Sequence, residues 1–136
     1  MSSYLFGVGF FVISCVLGES GQQSTELTGK EHKRLQGTWH LVRSNIDGKE
    51  QPLPKEGIEL VIKNNRFKMT MGAKLTDEGT FVMDPSKSPK TIDITHFSQV
   101  FGDHKIGLGI YEFKDQELWL CVARAGEIER PVDFSP

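Results

Sequence analysis

Three side chains close together in the sequence, His96, Asp103 and His104, are of types that bind metal ions in proteins. The two histidines flank the segment FSQVFGD, which ends in the aspartate. Their spacing matches neither the two-histidine, one-glutamate helix motif of metalloproteases nor a zinc ribbon. We therefore treat the three residues as weak candidate metal ligands and favour a solvated loop between two strands as the explanation for them.

Other patterns associated with catalysis have simpler structural explanations. The sequence GLG at residues 107–109 lies inside a strand-like stretch with no helix after it. This context favours a bulge or a packing notch over a phosphate-binding loop. Glu112, Asp115 and Glu117 belong to a charged hairpin turn, and no Gly-x-Ser-x-Gly nucleophile motif occurs. The sequence predicts no catalytic residue, no cofactor and no enzymatic activity.

The two cysteines lie in different surroundings. Cys121 is part of LWLCVA, a strand-like run in which an inert structural thiol is expected. Cys15 lies near the end of the apolar run YLFGVGFFVISCVL, and residues 1–18 contain no Lys, Arg, Asp or Glu. This run is shorter than the roughly 20 residues that a membrane-spanning helix needs. It fits the apolar region of a secretory signal, which is about 7–15 residues long.

The four residues VISC, at positions 12–15, resemble the lipobox of bacterial lipoproteins, whose cysteine is lipidated and becomes the mature N-terminus. This resemblance implies a signal peptide over residues 1–14 and lipid on Cys15. A polar Gly- and Ser-rich tether over 15–29 and a folded domain over 30–136 follow. Ordinary cleavage after Gly18 and an uncleaved hydrophobic N-terminus are the alternatives. All three place the rest of the chain outside the cytoplasm or against a membrane.

The composition is that of one soluble globular domain, with 38% hydrophobic and 25% charged residues in a chain of 136. The formal net charge is -2, and the lysines and arginines are scattered along the chain. No basic field concentrates nucleic acid, so a nucleic-acid partner is not expected.

The elements that must position these residues are mostly strands. A short helix is predicted over residues 31–35 with a stop at Gly37. Beyond it, apolar and polar residues alternate, which is the pattern of half-buried strands. The turn KNNR suits a hairpin because asparagine tolerates positive φ. About eight short strands result: TWHLVRS, IELVIK, FKMTM, GTFVMD, TIDIT, KIGLGIYEF, LWLCVA and a last one near 132–134.

Barrel closure would leave such strands without exposed edges, so the sequence predicts an all-β fold, a small antiparallel barrel. Almost every position predicted to face inward holds a large side chain, which favours a packed interior over a ligand cavity. Recognition is then expected on the loops DPSKSP and FSQVFGDH. The predicted inward set is Trp39, Leu41, Leu60, Ile62, Phe67, Met69, Phe81, Met83, Ile92, Ile94, Ile106, Leu108, Ile110, Leu118 and Leu120.

Six segments carry a resemblance to a known family: LQGTWHLV, DGKEQP, LVIKNNRFKM, EGTFVMDPSKSPKTIDIT, LGIYEFKDQELWLC and ERPVDFS. They cover nearly everything outside the predicted signal and tether. They are similar to an uncharacterised lipocalin-like domain family that is abundant in envelope proteins of planctomycete bacteria. The resemblance implies a lipocalin-like barrel that is usually exported and has no established activity. The GTW at residues 37–39 also echoes the glycine-x-tryptophan start of true lipocalins.

The resemblance to lipocalins also implies a structural clasp, in which Arg130 stacks on the indole of Trp39 beneath the helix. Arg124 is the second choice for the stacked cation. Trp119 departs from the family pattern, where a polar residue is more common, and is a possible surface contact. The expected protein is a lipid-anchored, extracytoplasmic (periplasmic) module of the cell envelope, or a secreted one, that binds an unknown protein partner. A carrier of a small apolar ligand and a metal-dependent enzyme are the alternatives.

Overall fold

The structure is a computed structural model that describes residues 9–15, 27–98 and 103–134. Within these ranges the chain forms nine strands and one helix. In chain order they are β1 (Gly9–Cys15), α1 (Leu27–Leu35), β2 (Gly37–Ile46), β3 (Lys49–Gln51), β4 (Ile58–Lys63), β5 (Arg66–Met71), β6 (Lys74–Asp84), β7 (Lys90–His96), β8 (Ile106–Lys114) and β9 (Glu117–Val122).

Eight of these strands form an antiparallel barrel. β2 pairs with β4, and each strand from β4 to β9 then pairs with the next along the chain. β1 pairs with both β9 and β2, while the three-residue β3 lies only against β2. The predicted all-β fold, a small antiparallel lipocalin-like barrel with a short N-terminal helix, is confirmed.

β1 coincides with the apolar run that the sequence predicts to be an export signal. It pairs with β2 from Gly9 to Cys15 and with β9 from Gly9 to Ser14. Val12 is 2% exposed there. Processing before Cys15 would remove most of this strand and open the barrel between β2 and β9. That processing and the lipid on Cys15 stay predictions, and residues 16–26 of the predicted tether lie outside the described residues.

Tight turns join the strands as the sequence indicates. Asn64, in the turn between β4 and β5, has a φ of 57°, as predicted for KNNR. Asp115 has a φ of 56° in the turn between β8 and β9. Gly37 follows the helix with a φ of 120°, a conformation that favours glycine and ends α1. The two hairpin turns at Asn64 and Asp115 join strands that are consecutive in sequence and paired in the sheet, and they fix the register of each pair.

The barrel interior is filled mainly by the residues that alternate inward along the strands. Most of the predicted inward set lies there, and Leu41, Leu60 and Ile94 pack against the cluster from its margin. Met69 is half-buried. The buried cluster consists of Leu35, Trp39, Ile62, Phe67, Phe81, Met83, Ile92, Tyr111, Leu118, Leu120 and Val122.

β8 presents the face opposite to the predicted one. Tyr111 belongs to the core and Phe113 packs against it, whereas Ile106 is 48% exposed. The same inner face carries Gly107 and Gly109, and a Cβ on Gly109 would lie 3.0 Å from Cγ2 of Val122. The prediction that GLG forms a packing notch agrees with this close approach. The predicted inward positions in β8 are therefore corrected to outward: Ile106, Leu108 and Ile110.

Residues 123–134 cross the outer surface of the barrel without forming the strand predicted near 132–134. The N–H of Ala123 donates to the Leu108 carbonyl at 2.9 Å, and that of Gly126 donates to the Ile106 carbonyl at 3.0 Å. This segment covers the outer face of β8, which explains why the outward Ile110 is 0% exposed. The alternating apolar residues of β8 therefore face outward, and the C-terminal segment covers part of that face.

Candidate functional site

A buried polar cluster attaches the helix to one end of the barrel. Glu31, on α1, is 7% exposed, and its Oε1 accepts hydrogen bonds from the Tyr111 hydroxyl at 2.9 Å and the Lys90 ammonium at 3.2 Å. Burial and the adjacent Glu31 carboxylate raise the pKa of Tyr111 above its ordinary value. The phenol therefore stays protonated and donates to the carboxylate. All three polar groups are paired within this cluster, which indicates a structural role.

Trp39 lies beneath the helix at the same end. Its side chain is 2% exposed, and its indole N–H donates to the Leu35 carbonyl at 2.7 Å. The Phe113 ring lies beside it with a centroid separation of 6.3 Å, and the Arg34 guanidinium lies 4.3 Å from the Phe113 centroid. The aromatic pair is thus covered by a cation from the helix.

Arg130 does not reach Trp39, so the predicted stack of these two side chains is corrected. Its Nη1 donates to Asp93 Oδ1 at 2.7 Å and to the Gly109 carbonyl at 2.9 Å. The arginine thereby fastens the C-terminal segment to the outer surface of β7 and β8. The cation beside the Trp39 cluster comes instead from Arg34, which a lipocalin-based expectation did not consider.

An acid–imidazole pair lies at the barrel end away from the helix. Oδ2 of Asp77 is 2.7 Å from Nδ1 of His96, and the aspartate is 2% exposed. Its other oxygen, Oδ1, accepts the N–H of Glu78 at 2.9 Å. The Phe67 ring meets the imidazole edge-on at 6.1 Å. An aspartate can orient a histidine in this way in hydrolases, but such a pair also serves to satisfy buried polar groups.

The candidate metal ligands are not brought together. His96 pairs with Asp77, whereas His104 stacks on Phe97 at a centroid separation of 5.0 Å. Asp103 Oδ1 lies 3.6 Å from Nδ1 of its neighbour His104. Among the residues that the structure describes, no group of three or more His, Cys, Asp or Glu side chains could hold a metal ion. The metal-dependent alternative thus has no assembled ligand set in this part of the chain.

Trp119 and Cys121 lie on the outer face of β9. The Lys114 ammonium is 3.8 Å from the Trp119 ring centroid, and the indole N–H donates to Glu117 at 3.1 Å. Trp119 is therefore only partly exposed. Burial raises the pKa of the Cys121 thiol to about 11, with a further contribution from the Asp133 charge. The thiol is protonated at neutral pH, which makes it a poor nucleophile.

A surface groove lies between the loop before β8 and the C-terminal segment. Its volume is about 610 Å³, and it opens to solvent. Ile106 and Ile128, which are 48% and 90% exposed, line it. The groove is outside the barrel and includes His104, which belongs to a loop in which recognition was predicted. Its complete lining is Asp93, His104, Lys105, Ile106, Leu108, Gly126, Glu127 and Ile128.

Sequence reasoning missed Asp77 and Glu31, the two most buried acidic side chains among the residues that the structure describes. Asp77 is separated from its partner by 19 positions, and Glu31 from Tyr111 by 80. The local signal for Asp77 is its place in the inward alternation with Phe81 and Met83, where an acid is unusual. No such signal marks Glu31, because the short helix offers too few residues to define a buried face.

Comparisons with protein-family models, curated proteins and solved structures find no match to this chain. None of the helices within the described residues has the length and apolar character to cross a membrane.

Proposed function

We propose that the protein is an exported, lipid-anchored, non-enzymatic domain of the cell envelope that binds a partner protein at its exterior. The observation that carries this proposal is the occupied barrel interior. Trp39, Tyr111 and Leu118 are each 2% exposed or less. Aromatic contacts extend through the inside, with ring centroids 5.9 Å apart for Tyr111 and Phe113. A substrate or a carried ligand would have to displace these side chains.

The buried polar groups also support a non-enzymatic role. Glu31 is used by Tyr111 and Lys90, and Asp77 is used by His96 and a backbone N–H. The Cys121 thiol has a raised pKa, which disfavours nucleophilic catalysis. These groups hold elements of the fold together.

Apolar side chains on the exterior support recognition there. Val82 and Val132 are 69% and 78% exposed, and Ile128 is 90% exposed. Single exposed apolar side chains are common, but the groove brings Ile106 and Ile128 together. We place the binding function on this outer surface, with the lipid anchor supplied by Cys15.

The anchor gives the first test of this proposal. Replacing Cys15 by Ala should move the protein from the membrane fraction to the soluble extracytoplasmic fraction, because it removes the site of acylation. One acyl chain binds a membrane only marginally, so stable attachment requires the multiply acylated cysteine of lipoproteins. Cell fractionation followed by immunodetection measures the change.

Cys121→Ala is the matched control, and this variant should stay in the membrane fraction. The lipid-anchor proposal is wrong if Cys15→Ala also remains there.

A further inference from the structure

Two strand edges meet at β1. The edge residues 39–46 of β2 and 117–122 of β9 both run antiparallel to it. The proposed processing removes residues 1–14, so both edges then lose their partner. We call the space between these edges the β2–β9 slot. Unpaired edges with an apolar inner face favour pairing with another strand.

The segment seen in the slot fits it imperfectly. The Oδ1 atom of Asn45, on the β2 edge, is buried without a hydrogen-bond partner, which is rare in folded proteins. The residue opposite it in register is Phe10, a type without a side-chain donor. The pairing also shifts between Val12 and Ile13 and skips Val42. A strand with a donor opposite Asn45 would fit the slot better.

The slot admits one extended strand rather than a second barrel. Adjacent strands lie about 4.8 Å apart, so the two edges are separated by roughly twice that spacing. Both edges run in the same direction, since each is antiparallel to the strand between them. In the described part of the chain, β4 to β8 are each paired on both sides. A second copy therefore has no free central strand to insert.

The residues that border the slot define the chemistry of the inserted strand. Its inner neighbours are apolar apart from the buried Ser44, so alternate positions of the strand require apolar side chains. On its outer side, Asn45 requires a donor, Arg43 favours a carboxylate and Glu117 favours an ammonium. The buried Cys121 and the indole of Trp119 lie across the slot from Asn45 and Arg43. The apolar inner neighbours are Leu41, Ile46, Leu118, Leu120 and Val122.

We propose that the processed domain binds an extended segment of a partner protein by strand addition in the β2–β9 slot. The segment alternates apolar residues with a donor, an acid and a base in that order. Main-chain hydrogen bonds to both edges supply affinity, and the alternate side chains supply specificity. This inference rests on the export and processing in the proposed function.

The test uses the protein purified from the envelope of cells that express the full-length chain. The intact mass gives the N-terminus and therefore tests processing by itself. The probe is a synthetic peptide of Gly9–Cys15 that carries Phe10→Thr, Val12→Glu, Ser14→Lys and Cys15→Ser. A control peptide has the same composition with the polar and apolar positions exchanged. Hydrogen exchange of the β2 and β9 amides is measured with each peptide.

The edge amides of the processed protein should exchange rapidly alone and at least about tenfold more slowly with saturating probe peptide, but not with the control. Unchanged exchange with the probe overturns the proposal. Edge amides that are protected in a dimer without peptide overturn it in favour of a second copy. An intact mass that includes residues 1–14 refutes processing and leaves the slot filled by β1, which overturns both proposals.

The Arg43→Glu variant tests the side-chain specificity. Arg43 is exposed, so this change should leave the fold intact. It should weaken binding of the probe about threefold and strengthen binding of a peptide with Lys at the position of Val12 by a similar factor. Equal binding of both peptides by the variant and the parent contradicts the proposed recognition chemistry.

Discussion

Replacing Trp39 by Ala should lower the free energy of unfolding by about 3–5 kcal/mol, the cost of truncating a buried tryptophan. Trp39 is 2% exposed and lies between the helix and Phe113, so the cavity would open beneath the element that closes the barrel end. Urea unfolding of the full-length protein measures the change.

Two further variants provide the comparison for this change, one at Trp39 itself and one at Arg130 on the outer surface of β7 and β8. Trp39→Phe keeps an aromatic ring but leaves the Leu35 carbonyl without the indole N–H, which should cost about 1–3 kcal/mol. Arg130→Ala removes a half-exposed ion pair with Asp93, whose cost should be about 1 kcal/mol or less. Equal stability of Trp39→Ala and the parent protein would remove Trp39 from the core and contradict this account of the barrel end.

Replacing Gly79 by Ala should destabilise the barrel by about 3 kcal/mol, near the upper end of the range for overpacking. A Cβ on Gly79 would lie 1.9 Å from the carbonyl oxygen of Thr95, which is backbone and cannot move aside alone. β6 and β7 would have to separate locally. The loss of unfolded-state entropy on replacing glycine stabilises by only about 0.4–1 kcal/mol, so the steric cost dominates.

Gly107→Ala is the matched control for this change. Its added Cβ would lie 3.2 Å from Cγ1 of Val122, which can yield by a few tenths of an ångström, and 3.3 Å from the carbonyl oxygen of Ala123, far less close than the contact at Gly79. The expected cost is about 1 kcal/mol. Urea unfolding of the two variants gives both values. Equal destabilisation by the two variants contradicts the close approach at Gly79.

The fold was largely predictable because its strands have a simple pattern. Alternation identified the inward positions in β4, β5, β6, β7 and β9, and the turn asparagine at 64 marked a hairpin. The prediction failed in β8 because its inner face starts with two glycines. The large apolar residues of β8 are instead Ile106, Leu108 and Ile110, which face outward and lie under the C-terminal segment or face solvent. A period-two pattern identifies an apolar face but not what covers it.

The polar contacts were less predictable because they join residues far apart in the chain. Asp77 meets His96 across the β6–β7 hairpin, 19 positions away, and Glu31 meets Tyr111, 80 positions away, where the helix packs on the barrel. The resemblance to lipocalins predicted that Arg130 would stack on Trp39. In the structure the Arg130 guanidinium instead donates to the Asp93 carboxylate and the Gly109 carbonyl. Arg34 is carried to the aromatic cluster by the helix, whose position no sequence pattern specifies.

The apolar N-terminal run illustrates a different limit of sequence patterns. Residues 9–15 satisfy the composition of a signal sequence and also that of a barrel strand, since both are short and apolar. The structure places them between β2 and β9. Cleavage before Cys15 and this strand pairing exclude each other in one molecule, so the pairing describes the uncleaved chain and the cleavage stays a prediction.

The central claim is that the barrel interior is packed and that recognition takes place outside it. Titrating the full-length protein with an environment-sensitive fluorescent fatty acid tests this claim most directly. We expect no saturable binding, because large side chains such as Trp39 and Tyr111 occupy the interior. Saturable one-to-one binding that disappears in the Met69→Trp variant would contradict the claim and establish the protein as a carrier.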